Sequence, residues 1–297
     1  MSVRTLLVDD EMAVLESLSR IMLHAGYDCS VAREGGEALE ILRRVPVDIV
    51  ISDIRMPGMD GMRLLEQIRE HHKEVDVIMM TGFDTQESFI QVIEAGAADF
   101  ISKPFHQDEL LAKLKRIIRE RQLKAELLYL SIHDSLTGLF NRRYMYQKLQ
   151  EEVERAKRQR RNLALTILDV DHFKDYNDSH GHLEGDKVLA ELAQIINSSI
   201  RQNVDTAYRY GGDEFAVLLI ETDSAQAAKV ADRIRASFEA RAIDHCTLSL
   251  GVAALDQDED GMEDLIRQAD EAMYRAKRGG GNRVEVFSDR NSTAHAV

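Results

Sequence analysis

Short apolar runs alternate with helically periodic stretches five times over the first 105 residues, the runs falling at 5–8, 29–32, 49–52, 75–80 and 99–102. Strands kept apart by helices cannot pair through hairpins, so the pattern predicts an α/β unit with a doubly wound, five-stranded parallel sheet. In such sheets the functional crevice lies at the carboxyl ends of the strands. Asp9 and Asp10 follow the first strand, Asp53 the third, Thr81 the fourth and Lys103-Pro104 the fifth. Three acids at one rim repel one another unless a dication sits among them, and oxygen ligands suit Mg2+. Any one of these acids is explained as a helix N-cap. The five positions together are not.

Asp9-Asp10-Glu11, Asp53-Ile54-Arg55-Met56-Pro57-Gly58-Met59-Asp60-Gly61, Thr81-Gly82 and Lys103-Pro104-Phe105 stand in the order found in response-regulator receiver domains, which residues 1–120 resemble throughout. The resemblance implies that a histidine-kinase partner passes a phosphoryl group to Asp53. It also implies one Mg2+ held by Asp10, Asp53 and the Arg55 carbonyl with Asp9 alongside, and phosphoryl oxygens bound by Thr81 and Lys103. Phe100 falls at the family's aromatic switch position.

From 107 to 133 there is no glycine or proline, and Leu110, Leu114, Ile117, Leu123, Leu127 and Leu130 recur at helical spacing. One continuous linker helix is predicted. Its second half needs another apolar surface, either the same helix of a second subunit or its own domain. Arg121 and Lys124 near the seam favour a weak, switchable homodimeric coil.

The second half turns on Arg209-Tyr210-Gly211-Gly212-Asp213-Glu214-Phe215, followed by an apolar run at 216–220. This reads as a tight turn and a strand, with glycines that let the backbone reverse and a phosphate approach. Upstream, a turn at 134–141 and a helix at 142–160 precede a strand at 163–168. That strand ends in Asp169-Val170-Asp171-His172-Phe173-Lys174, setting a carboxylate opposite Asp213. Two such acids can hold a metal pair, which clamps a triphosphate, activates an attacking hydroxyl and stabilises leaving pyrophosphate. That is nucleotidyl-transfer chemistry.

With Asp134-Ser135-Leu136-Thr137-Gly138-Leu139-Phe140-Asn141-Arg142-Arg143, Gly181-His182-Leu183-Glu184-Gly185-Asp186 and Ala269-Asp270-Glu271-Ala272-Met273-Tyr274-Arg275-Ala276-Lys277, this half resembles GGDEF-family diguanylate cyclases. The resemblance implies an α+β, palm-like nucleotidyl cyclase domain over 134–288 that joins two GTP molecules into cyclic di-GMP across a homodimer. Asp169, the Val170 carbonyl and Asp213 would hold two Mg2+. Asp213 would also be the base for the ribose hydroxyl, with Glu214 beside it. Lys174 would steady phosphate charge, and the Phe173 and Lys174 amides would meet phosphate where Gly211 and Gly212 let it approach. Asn177 and Asp186 would read guanine with His182 between them, and Lys277 would reach the triphosphate. Two departures stand out. Gly281 occupies a position where the family often has arginine, and the product-inhibition motif reads Gln202-Asn203-Val204-Asp205, leaving Arg201 one place early and Arg233 at a secondary contact. A domain that only senses GTP or cyclic dinucleotide is the alternative to an enzyme.

With 297 residues the chain can fill two domains. A net charge of −14 argues against a nucleic-acid binder, and no apolar run approaches the ~20 residues of a membrane span. A cytoplasmic location and a disordered tail at 289–297 are expected. Cys29 and Cys246 are too far apart to suggest a disulfide framework, and His71-His72 and His180-Gly181-His182 have no matching ligand cluster for zinc.

Overall fold

The computed structural model describes residues 3–82, 86–256 and 261–288, the side chains of 86–89 excepted. The tail expected to be disordered lies outside the described residues. The chain divides into two compact units, Met1–Ala125 and Glu126–Val297.

In the first unit, β1 (Arg4–Val8), α1 (Met12–His24), β2 (Asp28–Ala32), α2 (Gly35–Arg44), β3 (Ile49–Asp53), α3 (Gly61–His71), β4 (Asp76–Thr81), α4 (Gln86–Glu94) and β5 (Asp99–Ser102) follow in order. The sheet is parallel throughout, in the order β2-β1-β3-β4-β5. Alternating strand residues feed two cores. Leu6, Val8 and Val50 pack with Ala38, Leu42, Leu64 and Ile68 of α2 and α3. Leu7, Ile49 and Ile51 pack with Leu15, Leu18 and Met22 of α1 and with Leu110, Leu114 and Ile117. A sheet covered on both faces explains why its strands read as unbroken apolar runs.

The last three of those residues lie on α5 (Gln107–Ile132), the predicted long helix, which links the first unit to the second. Its apolar residues divide: Leu110, Leu114 and Ile117 are buried, whereas Leu123, Leu127, Leu128 and Leu130 are exposed. Arg121 corrects the expectation of a seam residue. Its Nη1 donates to the carbonyls of Asp48 and Glu74, at 3.0 and 2.7 Å, and pairs with Asp76 Oδ2 at 2.8 Å. The guanidinium therefore ties α5 to the amino ends of β3 and β4.

The second unit contains β6 (Phe140–Asn141), α6 (Arg142–Gln159), β7 (Leu163–Asp171), α7 (Phe173–His180), α8 (His182–Ser199), β8 (Thr206–Arg209), β9 (Glu214–Ile220), α9 (Ser224–Glu239), β10 (Thr247–Ala254), α10 (Met262–Arg278) and β11 (Arg283–Val286). Its six-stranded sheet has the order β11-β10-β7-β9-β8-β6, with β7 antiparallel to both neighbours. Ala164, Leu168 and Val170 of β7 face a core shared with α8 and α9, and Leu163, Leu165 and Ile167 face one shared with α6 and α10. Gly251 lets α10 approach closely: a Cβ there would stand 2.1 Å from the Ala269 carbonyl oxygen and the Met273 nitrogen. Between these cores, β7 runs on to Asp171, past the expected end at 168. The extra residues are held by pairing, Asp169 opposite Ser249 on one side and Glu214 on the other.

Candidate active site

At the carboxyl rim of the first sheet, Lys103 Nζ lies 2.7 Å from Asp9 Oδ2 and 2.8 Å from Asp53 Oδ2. Burial would depress this lysine, but its hydrogen bonds to Asp53 and Asp9 outweigh that and hold it above the ordinary lysine value. Asp9 is fully buried and also accepts from the Glu11 N–H at 2.9 Å. Oxygens of Asp9, Asp10 and Asp53 come within 4.8 Å of one another, an all-oxygen set that fits a hard dication. Thr81 is the buried last residue of β4, and its carbonyl accepts from the Lys103 N–H at 2.7 Å. The Arg55 N–H reaches Asp53 Oδ1 only at 3.5 Å. Phe100, opposite Met79 in the β4–β5 register, is half-buried, with Lys113 Nζ 5.4 Å from its ring centre. Gly61 closes the loop after β3, since a Cβ there would stand 2.0 Å from the Asp53 carbonyl oxygen.

In the second unit the β7–β9 register sets Asp169 opposite Glu214, and the Val170 N–H donates to the Asp213 carbonyl at 3.3 Å. Lys277, from α10, places Nζ 2.8 Å from Asp169 Oδ2. Burial pushes the Asp169 carboxyl up to about 6; Lys277 opposes the rise, and the charges of Asp213 and Glu214 add to it. Asp169, Asp213, Glu214 and Lys277 are thus one electrostatic group, and its carboxylate oxygens suit Mg2+.

The hairpin corrects one reading of its glycines. Neither Gly211 nor Gly212 adopts a left-handed conformation. At Gly211 a Cβ would meet the movable end of the Glu214 side chain, Oε2 at 2.4 Å, and the N–H groups of Tyr210 and Gly211 both donate to the Glu214 carbonyl. Gly212 has nothing among the described residues within 4 Å of a Cβ position, so its backbone is open to a ligand.

Sequence reasoning gave no role to Arg209. Its guanidinium donates to both Asp134 oxygens, at 3.0 and 3.2 Å, and to the Gly212 carbonyl at 2.8 Å. Burial would raise the Asp134 carboxyl, yet hydrogen bonds from Thr137 and Arg209 hold it below the usual carboxylate range. An arginine two residues before Gly-Gly and an aspartate opening the domain were the available signals.

α7 and α8 meet at Gly185, where a Cβ would stand 1.9 Å from Asn177 Oδ1 and 3.1 Å from the Phe173 ring. Asn177 Oδ1 is buried against Gly185 with no hydrogen-bond partner among the described residues. Lys174, His182 and Asp186 are exposed on α7 and α8.

Arg201 is committed elsewhere. Its Nε and Nη2 grip the Asp205 carboxylate at 2.9 and 2.6 Å, and Nη2 also reaches Thr222 Oγ1. Arg233 donates to the Ser199 carbonyl. Gly281 has φ +72°, and a Cβ there would press on Asp171 Oδ2 at 2.9 Å. Asp171 is already held by Thr247 Oγ1 and Ser249 Oγ, both at 2.7 Å, and by the Asn282 N–H.

The family model for the diguanylate cyclase GGDEF domain matches residues 131–283, and that for the response regulator receiver domain matches 5–115. The chain belongs to the GGDEF diguanylate cyclase family and carries a response regulator receiver domain ahead of the GGDEF domain. It is 33% identical over 299 residues to the response regulator PleD of Caulobacter vibrioides, an alignment covering 95% of this chain and 65% of PleD. It is 37% identical over 171 residues to diguanylate cyclase A of Treponema denticola, covering 54% of this chain and 46% of that one. The coiled coil and GGDEF domain of DgcB from Caulobacter crescentus, solved with c-di-GMP, superposes with a TM-score of 0.56 at 28% identity, over 61% of this chain and 98% of that one. No described helix is long and apolar enough to cross a membrane.

Proposed function

We propose that this chain is a phosphorylation-controlled diguanylate cyclase that works as a cytoplasmic homodimer and joins two GTP into cyclic di-GMP with loss of two pyrophosphates. The observation that carries the reading is the convergence of Asp169, Asp213, Glu214 and Lys277 beside the open backbone of Gly212. Asp213 takes the proton from the 3′-hydroxyl of one GTP as that oxygen attacks the α-phosphorus of the other. The bond from the α-phosphorus to the bridging oxygen breaks, and pyrophosphate leaves. Two Mg2+, held by Asp169, the Val170 carbonyl and Asp213, would supply charge neutralisation and lower the hydroxyl's pKa. Lys277 exchanges Asp169 for the triphosphate, Lys174 and the Phe173 amide steady phosphate oxygens, and Asp186 with Asn177 and His182 reads guanine. In the receiver domain, Asp53 accepts the phosphoryl group from a histidine kinase beside one Mg2+ on the acidic triad. Lys103 and Thr81 then bind the new phosphoryl oxygens, and Phe100 follows Thr81.

Mass analysis of products from purified protein with GTP and Mg2+, with and without beryllofluoride, tests the reading. Cyclic di-GMP should form faster with beryllofluoride, and Asp53→Asn should remove that response. Asp213→Ala should lower turnover by at least ~100-fold, as loss of a general base alone does. Added product should inhibit weakly, because Arg201 and Asp205 hold each other and Gln202 cannot chelate a dinucleotide as an arginine fork does. GTP binding without turnover would instead identify a sensor domain.

A further inference from the structure

Arg142 opens α6 directly after β6, the edge strand of the second sheet. Because β6 runs parallel to β8, with Asn141 opposite Arg209, Arg142 stands at the end of the sheet where the chain turns through Gly211 and Gly212. Its guanidinium lies over two phenol rings, 4.8 Å from the centre of Tyr210 and 5.6 Å from that of Tyr146, and Nη2 reaches the Tyr146 hydroxyl at 3.4 Å. The two hydroxyls are 3.2 Å apart. Hydrogen bonds from Tyr210 and Arg142 hold Tyr146 below the ordinary phenol value, whereas burial pushes Tyr210 up to about 12. Tyr210 therefore donates between the hydroxyls, and the Tyr146 oxygen also accepts from Arg142. The guanidinium is exposed and has no carboxylate partner among the described residues, whereas Lys277 is paired with Asp169 and Arg209 with Asp134.

We propose, on the diguanylate cyclase reading above, that Arg142 is a catalytic residue acting across the homodimer: it binds the α-phosphate of the GTP held by the partner subunit. Its place in the sheet sets it apart from the triphosphate of its own subunit. In the order β7-β9-β8-β6, Lys277 and Asp169 stand on the β7 side of the hairpin acids and Arg142 on the β8 side. Neighbouring strands are about 4.8 Å apart, so roughly 10 Å separates β7 from β8. Asp213 and Glu214 lie between, and the charge of Glu214 helps the Tyr146 hydroxyl to hold Arg142 above the ordinary arginine value. The subunit's own triphosphate takes the Lys277 side. The phosphorus under attack belongs to the other GTP and comes to the 3′-oxygen that Asp213 deprotonates, past the open backbone of Gly212, which leaves it the side of Arg142.

The chemistry suits an arginine there. As the 3′-oxygen bonds to the α-phosphorus and the bond to the bridging oxygen breaks, negative charge grows on the phosphoryl oxygens, two of which match the paired N–H donors of a guanidinium. Arg142 gives up no proton, since the hydroxyl proton goes to Asp213 and the electron pair leaves with pyrophosphate. Stacked on two rings and bonded to one hydroxyl, the guanidinium is fixed before substrate arrives, so it stabilises the charge without reorganising.

Product analysis of full-length protein with GTP and Mg2+ tests this, with wild type alongside. No cyclic di-GMP from wild type would sink the cyclase reading itself; given wild-type synthesis, the variants report on Arg142 alone. Arg142→Ala should lower kcat at least ~100-fold, as removal of one donor to developing charge does. Its calorimetric affinity for 3′-deoxy-GTP, which binds but cannot attack, should stay unchanged, and Arg142→Lys should recover part of the rate. Arg142 is exposed, so both variants should fold, and thermal unfolding checks that they do. Mixed dimers read the direction. Wild type with excess Arg142→Ala/Asp213→Ala double variant should accumulate the linear dinucleotide, because the wild-type subunit brings both base and arginine to one bond while the second bond cannot form. Arg142→Ala mixed with Asp213→Ala should make neither linear nor cyclic product. Wild-type kcat in Arg142→Ala, lost 3′-deoxy-GTP binding, no linear product from the first mixture, or linear product from the second would each overturn the proposal.

Discussion

Asp169 is costly to keep charged where β7 holds it. Its carboxyl titrates at about 6 against 3.8 for an ordinary aspartate, because burial and the neighbouring acids outweigh Lys277. A folded-state value above the unfolded one favours folding while the group is protonated. That contribution is full below about pH 4 and is lost as pH rises through 6. Two pKa units correspond to about 3 kcal/mol, which screening by water at the open end of the site reduces to about 1 kcal/mol. In metal-free buffer, urea unfolding should therefore show wild-type protein losing stability by that amount between pH 4.5 and 7.5, and Asp169→Asn should flatten the loss. Identical pH profiles would contradict it. Sequence reasoning picked out this aspartate from its place after an apolar run, but not its raised pKa, which comes from burial in the packed sheet and is only partly opposed by Lys277, a residue on a helix more than a hundred residues later.

Among the elements, the β8–β9 hairpin depends on a partner outside itself. Arg209 joins the Gly212 carbonyl, one residue before Asp213, to Asp134 at the domain entry. Asp134→Ala would leave the guanidinium half-buried without its carboxylate, an expected loss of about 2–3 kcal/mol. It would also loosen the turn, and misplacing a catalytic group by an ångström can slow turnover ~100-fold. Thermal unfolding and steady-state rates check both effects, and Asp134→Asn should recover part of the stability by keeping one acceptor. A rate equal to wild type would remove Arg209 from the positioning role. In this domain the helix at Arg142–Gln159 and the strands at Leu163 and at 216–220 were legible from local pattern. The extension of β7 to Asp171 was not, because it is held by Thr247, Ser249 and Asn282 from elements remote in sequence.

At the scale of the whole molecule, α5 is the helix that runs from the first unit into the second. Its first turns are buried in the receiver core, Arg121 anchors it there, and Leu123, Leu127 and Leu130 form an exposed apolar stripe, with Leu127 68% exposed, on which the proposed homodimer would pair. Leu127→Glu with Leu130→Glu should weaken self-association, measured by sedimentation, and make the specific rate of cyclic di-GMP synthesis rise steeply with protein concentration. A concentration-independent rate equal to wild type would show that this stripe does not pair the subunits. The long helix and its leucines were legible from the spacing, whereas the role of Arg121 was not, since its partners are two backbone carbonyls and a carboxylate that only the fold assembles.

Periodicity and local motif order by themselves determined the parallel sheet, the long helix and the membership of each half in its family. Those features rest on neighbours within one element or on side chains placed directly after a strand. The tertiary structure alone decided which charges meet: Lys103 on Asp9 and Asp53, Lys277 on Asp169, Arg201 on Asp205, and Arg209 between Asp134 and Gly212. It also decided why glycine stands at 281, where the carboxylate of Asp171 leaves no room for a side chain. Such pairings and exclusions depend on distances of a few ångströms between segments far apart in the chain, and those distances come into being only when the sheets and their covering helices have packed.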